Sequence, residues 1–162
     1  MKLLKELTRF LQEGRRNKLA ILCIGNALKG DDALGPIIAK RFKNRISSEI
    51  ILYDVGSQPE NFISILRRND VSHCLIIDAV EFKGEPGDIG FFSPPDLKDI
   101  KMIFSTHFLS MKIFLDFIAR ETNIKLRILG IQPLTLEFGK GISYPVKVAL
   151  ENIMNLLQSH LV

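Results

Sequence analysis

Leu19-Ala-Ile-Leu-Cys-Ile24 carries no polar side chain, and it stops abruptly at Gly25-Asn26. A strand with one face in water alternates apolar and polar residues, whereas a strand buried on both faces does not. This segment therefore reads as an inner strand of a sheet covered on both sides. Upstream, Leu3, Leu4, Leu7, Phe10 and Leu11 recur at helical spacing before Gly14. Downstream, a loop from Gly25 to Gly35 leads into a helix marked by Ile37, Ile38 and Phe42, and then into a second apolar strand, Ile50-Ile-Leu-Tyr-Asp-Val55. Ser57-Gln-Pro-Glu60 has the form of a capping box with proline in the first turn, and it predicts a helix through about Arg68.

The same alternation continues to the end of the chain. Cys74-Leu-Ile-Ile-Asp-Ala79 is a third strand, followed within a few residues by Gly87-Asp-Ile-Gly-Phe-Phe92. That connection is too short for a parallel crossover, so the fourth strand is expected to run antiparallel to its neighbour in sequence. Ser93-Pro-Pro-Asp96 caps a short helix, Phe108 to Arg120 forms a longer one, Lys125-Leu-Arg-Ile-Leu-Gly-Ile131 is a fifth strand, and Ser143-Tyr-Pro145 opens the last helix. The expected fold is a three-layer α/β/α sandwich around a mostly parallel five-stranded sheet with one antiparallel strand. Residues 1–162 form one domain, with residues 1–16 as an extra helix.

The 162 residues are 46% hydrophobic and 25% charged. That composition excludes a disordered chain, and no apolar run approaches the roughly 18 residues of a membrane span. The net charge of +4 comes from scattered clusters such as Arg15, Arg16 and Lys18, or Lys40, Arg41, Lys43 and Arg45. These are not a stripe interleaved with aromatics, so no nucleic-acid partner is expected. Cys23 and Cys74 lie inside apolar strands without metal-ligand spacing and read as core thiols. The first 16 residues lack the continuous apolar stretch of a secretory signal. A cytoplasmic protein without membrane insertion is expected.

Ligands of open α/β sheets sit at the carboxyl ends of the strands. The polar residues there are Asp31 and Asp32 after the first strand, Asp54 on the second, Asp78 on the third, and His107 in the Ser105-Thr-His107 turn. The loop Gly25-Asn-Ala-Leu-Lys-Gly30 has the glycine spacing of a phosphate loop, but Asp31-Asp32 stands where lysine and a hydroxyl residue would bind phosphate. An acidic pair suits a cation or a helix cap. Asp78 sits at the end of a buried strand, where an unpaired charge is costly; it is held by loop amides, a metal or a catalytic role. His107 reads as a helix cap, a core residue or a ligand. His73 and His160 read as structural. Two carboxylates and an imidazole would suit a borderline divalent metal such as nickel or zinc.

Taken in order, Ile24-Gly-Asn-Ala-Leu-Lys-Gly-Asp-Asp32 with Gly35, Asp54-Val-Gly-Ser57 with Pro59-Glu60-Asn61, Ile76-Ile-Asp-Ala79, Thr106-His107 and Leu129-Gly-Ile-Gln-Pro133 resemble the motifs of the hydrogenase maturation proteases. The likeness spans about Leu19 to Leu157 and falls in the branch serving hydrogenases of the formate-hydrogenlyase, or hydrogenase 3, type. It implies an aspartic-type endopeptidase that removes a C-terminal extension from the nickel-loaded precursor of a NiFe-hydrogenase large subunit. It also implies that Asp32, Asp78 and His107 are the metal-contacting and catalytic positions. The nickel would be carried by the substrate, so no tightly bound catalytic metal is expected, and the protease would act as a monomer. This chain departs from the family where Cys23 replaces a glycine, where Asp54-Val55-Gly56 replaces Asp-Gly-Gly, and in its N-terminal helix.

Two other functions compete with this one: a non-catalytic module that uses the same residues to inspect the precursor's nickel, and a nucleotide-binding regulatory domain. The protease assignment requires Asp32, Asp78 and His107 in one cleft at the carboxyl edge of the sheet. It also expects Asp31 to point elsewhere and the N-terminal helix to serve packing.

Overall fold

The computed structural model of the protein describes residues 1–45, 47–99, 103–104 and 108–162. Helix α1 spans Lys2–Asn17, followed by β1 (Leu19–Ile24), a 3-10 turn at Gly30–Ala33, α2 (Leu34–Phe42) and β2 (Ile50–Gly56). A second 3-10 turn at Pro59–Phe62 runs into α3 (Ile63–Arg68). Then come β3 (His73–Glu81), β4 (Ile89–Phe92), α4 (Asp96–Asp99), β5 (Ile103–Phe104), α5 (Phe108–Glu121), β6 (Lys125–Ile131) and α6 (Tyr144–Leu161).

The main sheet has the order β2-β1-β3-β6-β4, and β1, β2, β3 and β6 are mutually parallel. The alternation of side chains along each inner strand builds two separate cores. Leu19, Ile21 and Cys23 of β1, with Leu75, Ile77 and Ala79 of β3, meet α1, α2 and α6 on one face. Ala20, Leu22 and Ile24, with Cys74, Ile76 and Val80, meet α3 and α5 on the other. The continuous apolar reading of these strands thus has a direct cause, since every residue of β1 is buried.

Strand β4 runs antiparallel, as expected, but its partner is β6 and not β3, its predecessor in sequence. Both edges of β3 are already taken by β1 and β6, so the chain must pass beyond β6 to find a free edge. Two-residue β5, too short to carry a period, pairs antiparallel with Val80 and Glu81 at the end of β3. The capping box expected at Ser57 to Glu60 does not form. Gln58 is the N-cap residue of that turn and gives no side-chain cap. The Glu60 carboxylate instead accepts from the Ser110 hydroxyl of α5 at 3.1 Å, because α5 packs directly over this turn.

Helix α1 belongs to the first core. It buries Leu7, Phe10 and Leu11, and Phe10 meets His73 edge-on at 5.2 Å and Phe91 at 5.9 Å between ring centroids. Gly14 lets the helix approach the sheet, since a Cβ there would lie 2.9 Å from Leu19 Cδ1. Leu11 is 1% exposed whereas Leu4, on the same helix, is 53% exposed. Leu11→Ala is expected to cost about 2–5 kcal/mol and Leu4→Ala less than about 0.5. Urea denaturation checks both, with the midpoint moving and the m-value unchanged if the loss is purely one of packing.

Candidate active site

The turn after β1 is folded by backbone crowding. Gly25 has φ +142°, and a Cβ there would lie 1.9 Å from the Asp32 carbonyl oxygen. At Gly35 a Cβ would lie 2.0 Å from the Ile24 carbonyl oxygen. Glycine at both positions lets residues 25–35 return onto the end of the strand that launched them. The return places the Asp32 side chain beneath the turn, where its Oδ2 accepts the Asn26 N–H at 2.9 Å. Asp32 is fully buried.

Its neighbour Asp31, also fully buried, faces the other way. It accepts the N–H groups of Leu134 at 2.8 Å, Thr135 at 3.1 Å and Ser143 at 2.7 Å, and the Ser143 hydroxyl at 2.9 Å. Asp31 is thus the hub that holds the segment between β6 and α6 against the first loop. The Asp31 N–H donates to the Thr135 carbonyl at 2.9 Å, which closes the clasp.

Asp78 occupies the opposite situation. It pairs in register with Gly130 across the centre of the sheet and is fully buried. Among the described residues neither carboxylate oxygen has a hydrogen-bond partner. Desolvation drives its pKa well above the usual aspartate range, and the nearby Asp32 charge drives it further; the Ala79 N–H opposes this without reaching hydrogen-bond geometry. Asp78 is therefore neutral at pH values where an ordinary carboxylate is charged. By strand alternation it lies on the face of Cys74, Ile76 and Val80, the face covered by α5.

The structure brings Asp32 and Asp78 together at the carboxyl edge. His107 lies outside the described residues, directly before α5. Asp54 is exposed and its Oδ1 takes the Gly56 N–H at 3.3 Å, a local turn contact. His73 sits at the start of β3, at the opposite end from Asp78, with Nδ1 2.8 Å from the Ser72 hydroxyl. His160 contacts Thr8 of α1 at 3.4 Å. Cys23 and Cys74 are buried free thiols whose pKa values burial pushes up, so neither is a ready nucleophile. Among the described residues no group of three or more His, Cys, Asp or Glu side chains is placed to hold a metal.

Sequence reasoning gave no role to Gln132, although it stands in one of the quoted motifs. Its buried Oε1 accepts the N–H groups of Phe82 at 3.0 Å and Gly84 at 3.1 Å, and its Nε2 donates to Glu81 at 2.6 Å. This one amide fixes the exit of the strand that carries Asp78. The available signal was a polar residue directly after the apolar run Ile128-Leu-Gly-Ile131, which has to be satisfied if buried.

A hydrogenase maturation protease family model matches residues 36–160. The chain is 30% identical over 138 residues to the hydrogenase 3 maturation protease of Escherichia coli, covering 85% of this chain and 87% of that one. It is 32% identical over 148 residues to a putative hydrogenase maturation protease of Methanocaldococcus jannaschii, covering 86% of each. The crystal structure of a NiFe-hydrogenase maturation protease from Thermococcus kodakarensis matches with a TM-score of 0.82 at 25% identity, covering 96% of this chain and 98% of that one. Such coverage extends through most of the N-terminal helix. The solution structure of an endopeptidase from Escherichia coli matches with a TM-score of 0.75 at 29% identity, covering 88% and 90%.

Asp31 and Asp78 are expected to respond oppositely to substitution. Asp31→Ala strands three buried amides, each costing about 1–3 kcal/mol, and should sharply lower the thermal midpoint. For Asp78 the raised native pKa means that folding binds a proton, so its contribution to stability is full below the ordinary value of 3.8 and is lost as pH rises toward the native value. Asp78→Asn has no such loss. Its stability relative to the native protein should rise with pH in urea titrations across about pH 4 to 8.

Proposed function

The chain belongs to the hydrogenase maturation protease family, and from that premise we propose that Asp32 and Asp78, joined by His107, cut a peptide bond in the large-subunit precursor of a NiFe-hydrogenase. The protein is an endopeptidase, and the piece it releases is the precursor's C-terminal extension. The observation that carries this assignment is the Asp78 carboxylate, which among the described residues is buried without a hydrogen-bond partner beside a second buried carboxylate. A structural aspartate is saturated with donors, as Asp31 is. One left without them is costly to keep, and such groups concentrate at functional sites.

The arrangement suits a cation that arrives with the substrate. Burial first, and then the like charge of Asp32, favours a proton on Asp78. The precursor's nickel would replace that proton and turn repulsion between the carboxylates into shared attraction. Two oxygens and the His107 imidazole suit nickel, and they leave positions for ligands from the substrate itself. His107 enters here because it immediately precedes α5, the helix covering the face of Asp78.

For hydrolysis, a carboxylate of the pair takes a proton from water as the water oxygen adds to the scissile carbonyl carbon. The carbon–nitrogen bond then breaks as the proton taken from water passes from the carboxylate, with His107 as relay, to the leaving amine, which restores the site. Nickel bound in the precursor is the sign that metal loading is complete, so a site finished only by that nickel cuts only loaded precursor. The free thiols Cys23 and Cys74 fit a reducing, cytoplasmic setting. Among the described residues no helix is long and apolar enough to cross a membrane. The protease acts as a monomer on one precursor molecule.

Metal-stripped protease mixed with nickel-loaded precursor should yield a shortened large subunit and the free extension, both visible by mass spectrometry, while nickel-free precursor stays full length. Asp32→Ala, Asp78→Ala and His107→Ala should each slow processing by about 100-fold or more. A protease that needs added zinc and cuts nickel-free precursor equally well would overturn the assignment. Precursor that binds without ever being shortened would reduce it to docking.

A further inference from the structure

Strand β2 forms one edge of the sheet, and among the described residues its only ladder partner is β1. The Glu49 carbonyl accepts from Leu19 N–H on the β1 side at 3.5 Å. By alternation Ile51 and Tyr53 also turn their backbone groups toward β1, and Leu52 and Asp54 turn theirs outward. Edges of soluble sheets are usually blunted by lysine, proline or brevity. The opposite edge follows that rule, since β4 is four residues long and runs into Pro94-Pro95. The Ile50-Ile-Leu-Tyr53 edge has none of these devices.

A groove of about 940 Å³ runs along this edge. Ile51 and Leu52, which point to opposite faces of the sheet, both line it, so it follows the rim of the strand. Its one end is formed by Ala27 and Pro36, from the loop and helix flanking Asp32. Its other end carries Lys40 and Lys43, exposed at the close of α2. The lining of the groove thus includes residues on either side of Asp32 in sequence and a pair of cations.

We propose that the C-terminal extension of the precursor docks as an added strand on the outer edge of β2, antiparallel to it, with its terminal carboxylate between Lys40 and Lys43. The proposal rests on the cleavage assignment for its occupant and direction. The extension lies on the carboxyl side of the scissile bond, so a chain leaving the site along β2 must run from Asp54 toward Ile50. After about 20 Å, the length of the strand, it reaches the two lysines, where a free carboxylate finds opposite charge. Main-chain bonds to Leu52 and Asp54 would give affinity with little demand on sequence, as in other cases of strand addition.

The test uses the intact protease and a synthetic peptide of the released extension. The peptide should slow hydrogen exchange of the Leu52 and Asp54 amides and inhibit processing. Methylating its backbone nitrogens on one alternate set should weaken inhibition by about ten-fold, and on the other set should not. The paired substitution Lys40→Glu and Lys43→Glu should raise KM about five-fold with kcat unchanged, and amidating the peptide's terminus should cost a similar factor. Equal inhibition by both methylated peptides, or unchanged exchange at Leu52 and Asp54, overturns the edge site. Processing of nickel-loaded precursor is followed in parallel. Product without edge protection sinks the docking site alone, whereas edge protection without product sinks the cleavage assignment and leaves the docking site standing.

Discussion

Everything at the carboxyl edge depends on the contact of backbone with backbone where β1 ends. Gly25 lies under the carbonyl of Asp32, and Gly35 lies against the carbonyl of Ile24, so close that no side chain fits at either. The loop can return over the strand only because both are glycine, and that return puts two adjacent aspartates on opposite sides of one turn. From there Asp31 reaches the segment before α6, and Asp32 reaches the end of β3.

Two buried carboxylates at neighbouring strand ends therefore have opposite physical standing. Asp31 is saturated by four donors and behaves as part of the framework. Asp78 has none among the described residues and is kept in place by its strand, whose neighbours β1 and β6 hold it from both sides. A sheet interior can hold such a group because the backbone ladder, and not the side chain, supplies the local stability. The framework residues Gln132 and Asp31 then hold the flanking loops in position around it.

The sequence made the layered fold legible because its inner strands carry unbroken apolar runs, all of Leu19–Ile24 and the stretch from Cys74 to Ile77, and both Leu19–Ile24 and Lys125–Ile131 end where the residue pattern says they should. The partner of β4 was not legible, since pairing depends on which edges remain free after the parallel core has formed. Nor could two-residue β5 be read, having no period to show. The expected box at Glu60 failed because Ser110, fifty positions away in sequence, competes for its carboxylate. For the site, Asp78 was marked by charge in apolar surroundings, and Asp32 by an acidic pair in a glycine-rich loop together with the family resemblance. The role of Asp31 was hidden, because its donors lie 103 to 112 positions downstream. The expectation for His107 falls outside the described residues.

The placement of Asp78 on β3 also restricts how this gene can vary in length. Side chains on a strand alternate with a period of two, so losing or gaining one codon between His73 and Asp78 would move the carboxylate through the sheet. It would leave the face covered by α5 and enter the apolar core shared by α1, α2 and α6. Substitutions within this strand change packing by degrees, whereas a frame-preserving deletion exchanges the two cores. Length variation in relatives should therefore collect in the loops beyond Glu81, with the stretch from His73 to Asp78 constant in length even where its residues differ.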